Sequence, residues 1–358
     1  MSRKNCLLIF RNKKLNKFDY AASAAAEFAS NGIYFDRVEY CAFDDSEEIS
    51  RRIAECKGHY FNLVLLCPQI MCDGLKNYCE KIFDGQFDSF NILSAPDCNL
   101  YMLSYDGESK LNEREIAEII SKKNGTNYGR SYVKTVGASL DEINEVIAKA
   151  KKVCSKCDFN VSDSFSDCTI EIVYPESLLK STYDNIIRTV IGGLNEHVYA
   201  LENITLEQRL FQLLKLRRMK ISVAESFTGG GVAKRLVGVA GISEVYFEGV
   251  NTYSNESKIK RLGVDELILK QYGAVSEQTA YQMAEGLLNT GDCDISIATT
   301  GIAGPKSDLT SKPVGLLYIA VGTRESISVF KYELNGGRQK ITETAINLAL
   351  FHAFKKIK

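Results

Sequence analysis

Short apolar runs alternate along this chain with longer stretches in which apolar positions recur every three or four residues. The first pattern predicts buried strands and the second amphipathic helices, and their alternation predicts α/β layers. Leu7-Leu8-Ile9-Phe10 and Phe61-Asn62-Leu63-Val64-Leu65-Leu66-Cys67 read as strands. Tyr20 to Asn31 reads as an Ala-rich helix ending near Gly32, and Asp45 to Cys56 as another. From 68 to 130 the pattern weakens into an irregular mix holding one helix, Asn112 to Lys122. Asn124-Gly125-Thr126-Asn127-Tyr128-Gly129 breaks it and marks a first boundary.

A β-α-β-α pattern follows: a strand near Tyr132–Val136, a helix Ser139–Val153, a strand Thr169–Val173 and a helix Pro175–Ile191, ending at Tyr199–Asn203. Thr205 then caps a helix, Leu206–Arg218, whose leucines keep helical spacing. The remainder reads as strand 221–225, helix 230–237, strand 246–253, helix 255–261, helix 276–288, strand 294–299, strands near 314–321 and 326–333, and a closing helix from about Gln339 to Lys355. Three domains are expected: 1–129, 130–204 and 205–358.

Composition narrows the function classes. The 358 residues are 45% hydrophobic and 25% charged with a net charge of −1, which exerts no pull toward nucleic acid or membrane. No apolar stretch approaches the roughly 18 residues of a membrane span. The start, Met-Ser-Arg-Lys-Asn-Cys, lacks the apolar core of a signal peptide, so a cytoplasmic location is expected. Eleven cysteines, an odd and scattered set, argue against a disulfide framework. Cys154-Ser155-Lys156-Cys157 has no second pair, and His59, His197 and His352 offer no ligand spacing, so the thiols read as buried or tolerated and no metal is expected.

The chemistry gathers in the last third. Ala224-Glu225-Ser226-Phe227-Thr228-Gly229-Gly230-Gly231 is a strand, a glycine turn and a helix start, a form that brings backbone N–H groups to an anion. Gly241-Ile242-Ser243, Thr252-Tyr253-Ser254-Asn255-Glu256-Ser257-Lys258 and Thr299-Thr300-Gly301-Ile302-Ala303-Gly304-Pro305 are loops of the same character. A Ser-His-Asp triad needs a histidine, and His352 sits among apolar neighbours in the terminal helix. A serine nucleophile therefore needs another base. Lys258 fits, because it falls in the first turn of a helix capped by Ser254 or Asn255, where the helix dipole disfavours its charge.

These loops, with Leu262-Gly263-Val264, Tyr272-Gly273-Ala274-Val275-Ser276, Met283-Ala284-Glu285-Gly286 and Lys312-Pro313-Val314-Gly315, resemble in order the C-terminal domain of the CinA (competence/damage-inducible) family, over about 205–358. The resemblance implies a three-layer α/β/α domain with nicotinamide mononucleotide amidohydrolase activity and neither metal nor cofactor. It implies a homodimer whose partner is a small nucleotide substrate, with no nucleic acid or membrane involved. Carried over by motif, Ser243 is the nucleophile, the last residue of the family's Gly-Ser-Ser, with Tyr253 and Lys258 handling protons. Ser226, Thr228, Gly229, Gly230, Thr300, Gly301 and Arg338 complete the substrate site. The 5′-phosphate is expected on Thr228–Gly231 or Arg338.

Four positions depart from the family pattern. Ile242 replaces one serine, Phe227 replaces a cysteine, Gly336-Gly337-Arg338 stands for Gly-Asp-Arg, and Lys306–Ser311 replaces a glycine-rich loop. Phe227 and Ile242 favour the alternative of a catalytically inactive nucleotide-binding regulator; the retained polar residues favour catalysis. Residues 1–129 resemble a degenerate molybdopterin-biosynthesis-like domain. Pro68–Gly74 and Arg11-Asn12-Lys13-Lys14-Leu15 stand where that domain carries its phosphate and metal signatures, which predicts an inactive unit serving dimerisation or regulation. Residues 130–204 resemble a small KH-like α+β domain without the Gly-x-x-Gly clamp that RNA binding requires.

Overall fold

The computed structural model describes residues 4–11, 20–42, 46–104, 112–124, 128–305 and 311–358. Packing divides the chain into two units. One comprises Met1–Arg130, Lys156–Asp158 and Val173–Leu179; the other comprises Ser131–Ser155, Phe159–Ile172 and Lys180–Lys358.

A strand that is apolar at every position has to be covered on both faces, and the first unit is built that way. Its elements are β1 (Asn5–Arg11), α1 (Tyr20–Ser30), β2 (Arg37–Ala42), α2 (Ser46–Cys56), β3 (Asn62–Cys67), α3 (Cys72–Phe83), β4 (Ile92–Ser94), β5 (Asn99–Ser104) and α4 (Glu113–Asn124). The sheet order is β2-β1-β3-β5-β4, parallel except for β4. Leu7, Ile9, Val64 and Leu66 pack with Phe28, Ile116 and Ile120 on one face. Leu8, Phe10, Leu63 and Leu65 pack with Ile53, Leu75 and Phe83 on the other. The stretch expected to hold a single helix therefore holds α3 and two strands besides the expected helix, α4. Of the eleven cysteines, all but Cys154 are buried. Of the expected first boundary, residues 125–127 lie outside the described residues, as do residues 12–15 of the Arg11–Leu15 segment.

The second unit carries two sheets. The first joins β6 (Tyr128–Val136), β7 (Asp158–Ser164), β8 (Asp167–Pro175) and β9 (Val198–Ala200) in the order β7-β8-β6-β9, with α5 (Leu140–Val153) and α6 (Lys180–Leu194) packed together. Ser139 and Glu142 form a capping box at the start of α5. Thr205 and Gln208 form another at α7 (Leu206–Arg217).

Then follow β10 (Ile221–Glu225), α8 (Gly231–Val237), β11 (Tyr246–Asn251), α9 (Asn255–Leu262), α10 (Glu266–Tyr272), α11 (Glu277–Asn289), β12 (Ile295–Gly301), β13 (Leu316–Thr323), β14 (Ile327–Glu333) and α12 (Arg338–Ile357). The sheet order is β11-β10-β12-β13-β14; the first three strands are parallel, β13 is antiparallel to β12, and β14 is antiparallel to β13. Successive side chains point to opposite faces, and the two faces differ. Val223, Ile297 and Ile319 pack with α7, α8 and α12 through Leu210, Leu236 and Ala349. On the other face Ala224, Ala298 and Ala320 stand in register across three strands, against Leu262, Met283 and Leu287 of α9 and α11. The result is a three-layer α/β/α arrangement, as the resemblance implies.

The small residues let α11 come close. A Cβ on Gly286 would stand 2.1 Å from the Leu262 carbonyl oxygen at the end of α9. Gly→Ala inside a helix ordinarily stabilises by about 1 kcal/mol. Here the obstacle is backbone, so Gly286→Ala is expected to destabilise by about 1–3 kcal/mol. Thermal unfolding of the variant checks this; an unchanged or raised Tm would contradict the contact.

Candidate active site

Because β10, β11 and β12 are parallel, their C-terminal ends open on one edge. Glu225 is level with Asn251 on one side and Thr299 on the other. The chain leaves β10 for β11 on one side and returns for β12 on the other, so the strand order reverses at β10. Such a reversal opens a crevice at the carboxyl ends of the strands. Three of the four polar loops expected from sequence leave from that edge.

Lys258 is the centre of the arrangement. Ser254 caps α9 by accepting from the Ser257 N–H at 3.1 Å, which places Lys258 in the first turn. Its side chain is fully buried, 0% exposed. Nζ donates to the carbonyls of Thr252 at 2.8 Å and Tyr253 at 3.2 Å, and lies 3.1 Å from Ser226 Oγ. Burial brings its pKa down from 10.5 to about 8, because the charged form loses its hydration. The cause is burial. The two carbonyls can only accept. A neutral amine therefore spends both N–H bonds on them, and its lone pair is left facing the Ser226 hydroxyl.

The glycine turn after Ser226 is held from within. Glu225, buried at the last position of β10, turns its carboxylate onto the start of α8. Oε2 accepts from the N–H groups of Gly230 and Val232 at 3.0 Å each, and Oε1 from that of Ala233 at 2.8 Å. The Gly229 and Gly231 amides donate to the Ser226 and Thr228 carbonyls. Gly229 and Gly230 are both left-handed, φ 63° and 95°, which only glycine adopts without strain in succession. Of the Thr228–Gly231 amides expected to cradle a phosphate, those of Gly229, Gly230 and Gly231 are thus already taken. Those of Phe227 and Thr228 have no hydrogen-bond partner among the described residues.

The remaining residues brace this edge. The Thr228 and Thr299 hydroxyls meet at 2.7 Å, tying the turn to β12. Thr300, also buried, donates to the Ala274 carbonyl at 2.7 Å. Lys312 bridges the Tyr272 and Val275 carbonyls around the same segment. Arg338, exposed at the start of α12, donates from Nη1 to the Gly304 carbonyl at 2.7 Å. Gly301 lies against Leu317, where a Cβ would be 2.6 Å away. Of the Lys306–Ser311 loop, residues 306–310 lie outside the described residues.

The structure therefore joins Lys258, Ser226 and the backbone of Tyr253. Tyr253 itself is 68% exposed. Ser243 is exposed on a single 3-10 turn, Ile242–Glu244, and its hydroxyl makes no hydrogen bond among the described residues. Phe227 and Ile242, the two departures that favoured an inactive protein, are both buried in the core between the sheet and α7, α8 and α12. His352 stacks on Phe330 and meets the Tyr332 hydroxyl, and burial lowers its pKa to about 4; it is a packed helix residue. Glu225 and Thr299 lie in the expected loops but were given no role of their own in the site. The signal for Glu225 was available: a lone carboxylate directly before a Ser-Phe-Thr-Gly-Gly-Gly turn.

Residues 203–357 match the family model of the CinA C-terminal domain. A CinA-like protein of Kosmotoga olearia is 45% identical over 157 residues, 44% of this chain and 38% of that protein. A CinA-like protein of Fusobacterium nucleatum is 42% identical over 178 residues, 49% of this chain and 43% of that protein. The matched part spans less than half the length of these curated relatives. A solved competence/damage inducible protein of Agrobacterium tumefaciens is 37% identical, covering 41% of this chain and 90% of that one, with a TM-score of 0.40.

Proposed function

Because the chain belongs to the CinA family through a C-terminal domain at residues 203–357, we propose that it hydrolyses the carboxamide of nicotinamide mononucleotide to nicotinate mononucleotide and ammonia, with Ser226 as nucleophile and Lys258 as base. The observation that carries this reading is the contact between a buried, deprotonatable lysine and a serine hydroxyl at 3.1 Å. An amide needs a nucleophile, a group that takes its proton and returns it to the leaving nitrogen, and donors for the oxyanion. Lys258 takes the hydroxyl proton as Ser226 Oγ bonds to the carboxamide carbon. The tetrahedral oxyanion is met by the unpartnered Phe227 and Thr228 amides. Lys258 then gives the proton to the departing amide nitrogen, which leaves as ammonia. Water, activated by the same amine, hydrolyses the acyl-serine to the carboxylate.

Ser226 is preferred to Ser243, the nucleophile carried over by motif, because only Ser226 touches the lysine. Tyr253 contributes its carbonyl to the lysine and leaves its ring to the substrate. The substrate's phosphate is assigned to the start of α12. That end has no side-chain cap and no acidic residue in its first turn, and it carries Arg338. The test is incubation of the purified protein with nicotinamide mononucleotide, without added metal, and measurement of ammonia and nicotinate mononucleotide. Equimolar products are expected. Absence of both from the wild type would leave the nucleotide-binding regulator as the better reading.

A further inference from the structure

The glycine turn looks from sequence like an anion cradle, yet its Gly230 amide, with those of Val232 and Ala233 just beyond it, is filled by a carboxylate of the same chain. Three features make this more than an ordinary helix cap. The carboxylate comes from the strand rather than from the residue before the helix. It uses both oxygens on three separate N–H groups. And it belongs to the residue directly preceding Ser226 in the chain, so whatever fixes Glu225 fixes the direction in which Ser226 leaves the sheet. The Ser226 amide is held in turn by the Thr299 carbonyl at 3.0 Å, and the Thr252 amide by the Glu225 carbonyl at 2.8 Å. The strand end, the serine and the lysine's carbonyl partner are thereby linked through one residue.

We propose that Glu225 is a positioning residue: its carboxylate serves as a fixed internal anion that shapes the turn for Ser226 and closes the glycine loop to the substrate's phosphate. The assignment rests on the amidohydrolase reading given above for the identity of the substrate. It has two consequences. The amides left open to a ligand are those of Phe227 and Thr228, next to Ser226, rather than those of Gly230, Val232 and Ala233. And Glu225 acts on the rate of the chemical step without contributing to substrate binding.

Glu225→Gln tests the second consequence. A carboxamide has one acceptor oxygen where the site needs two, and its NH2 faces N–H groups. We expect kcat to fall about 10- to 100-fold, in the range of lost positioning, with KM within about twofold of the wild type. The rise of rate with pH should keep its midpoint near 8, because the Lys258 shift is caused by burial and not by this carboxylate. Undiminished kcat, or a raised KM at unchanged kcat, overturns the proposal. A wild type without turnover defeats the amidohydrolase reading instead.

The first consequence is tested on the wild type, so an unfolded variant does not remove the test. The 15N-labelled protein is titrated with nicotinamide mononucleotide and, separately, with inorganic phosphate. Signals of Gly230, Val232 and Ala233 are expected to stay in place in both titrations, while those of Phe227 and Thr228 move with the nucleotide. Displacement of the first three by inorganic phosphate alone overturns the internal-anion role, whatever the enzyme's substrate proves to be.

Discussion

Ser226→Ala is expected to lower kcat/KM for nicotinamide mononucleotide by about 10³-fold or more, the scale on which removing a nucleophile leaves only binding and oxyanion stabilisation. Ser243→Ala is expected to cost no more than about tenfold. The two serines differ in what they touch. Ser226 is a buried hydroxyl on the lysine amine; Ser243 is exposed on a 3-10 turn without a hydrogen bond among the described residues. Alanine at 226 removes one oxygen in a site braced by Glu225 and the Thr228–Thr299 pair, so the fold is expected to survive and circular dichroism to be unchanged. The decisive measurement is the ratio of the two variants' kcat/KM at one pH. A ratio near one, or a larger loss from Ser243→Ala, would return the nucleophile to Ser243 and leave Ser226 as the hydroxyl that orients the lysine. Trapping the acyl-enzyme and locating the modified serine by mass spectrometry gives the same answer independently.

Apart from the short α10, which was not foreseen, the strands and helices of the last third were legible because their apolar periodicities are clean and their caps are standard. Strand 221–225 and the start of α9 at Asn255 agree with expectation. The stretch from 68 to 130 was not legible, and α3 shows why. Its buried stripe is Cys72, Leu75, Cys79 and Phe83. Cysteine packs as a small hydrophobe, but half of this stripe is cysteine, and a periodicity sought in aliphatic and aromatic residues passes over it. The short β5 is buried at nearly every position and has no alternation to reveal it. At the site, the identity of the lysine was readable from its place in a capped first turn, whereas its partner was not. Which of several hydroxyls a side chain reaches depends on strand register, here the alignment of Glu225 with Asn251 and Thr299. That alignment is a long-range property no local spacing encodes. The same holds for Glu225: a loop sequence shows that amides are offered, not whether a neighbouring carboxylate has already accepted them.

The second large effect is expected at Lys258, in both activity and stability. Below its pKa of about 8 the amine is protonated and cannot accept the Ser226 proton. Wild-type kcat/KM is therefore expected to rise about tenfold per pH unit up to about 8 and to level off above it. Lys258→Met keeps the length and apolar stem but removes the base, with an expected loss of about 10³-fold and no residual rise through pH 8. Lys258→Arg is expected to be equally inactive, since guanidinium stays protonated at any working pH. Stability carries the opposite sign from an ordinary ion pair. The folded-state pKa lies below the unfolded value, so between about pH 8 and 10.5 the unfolded chain holds a proton that the folded chain has released. Stability owed to this group is therefore lost as pH falls from 10.5 to 8 and stays lost below, a difference of about 3 kcal/mol. Urea unfolding of wild type and Lys258→Met at pH 7 and pH 10 isolates the term, because every other titrating group is common to both. The wild type is expected to gain about 3 kcal/mol more than the variant over that interval, less whatever part lies above pH 10. Equal pH dependence in the two proteins would mean that the lysine is solvated, and a solvated lysine could not serve as the base for Ser226.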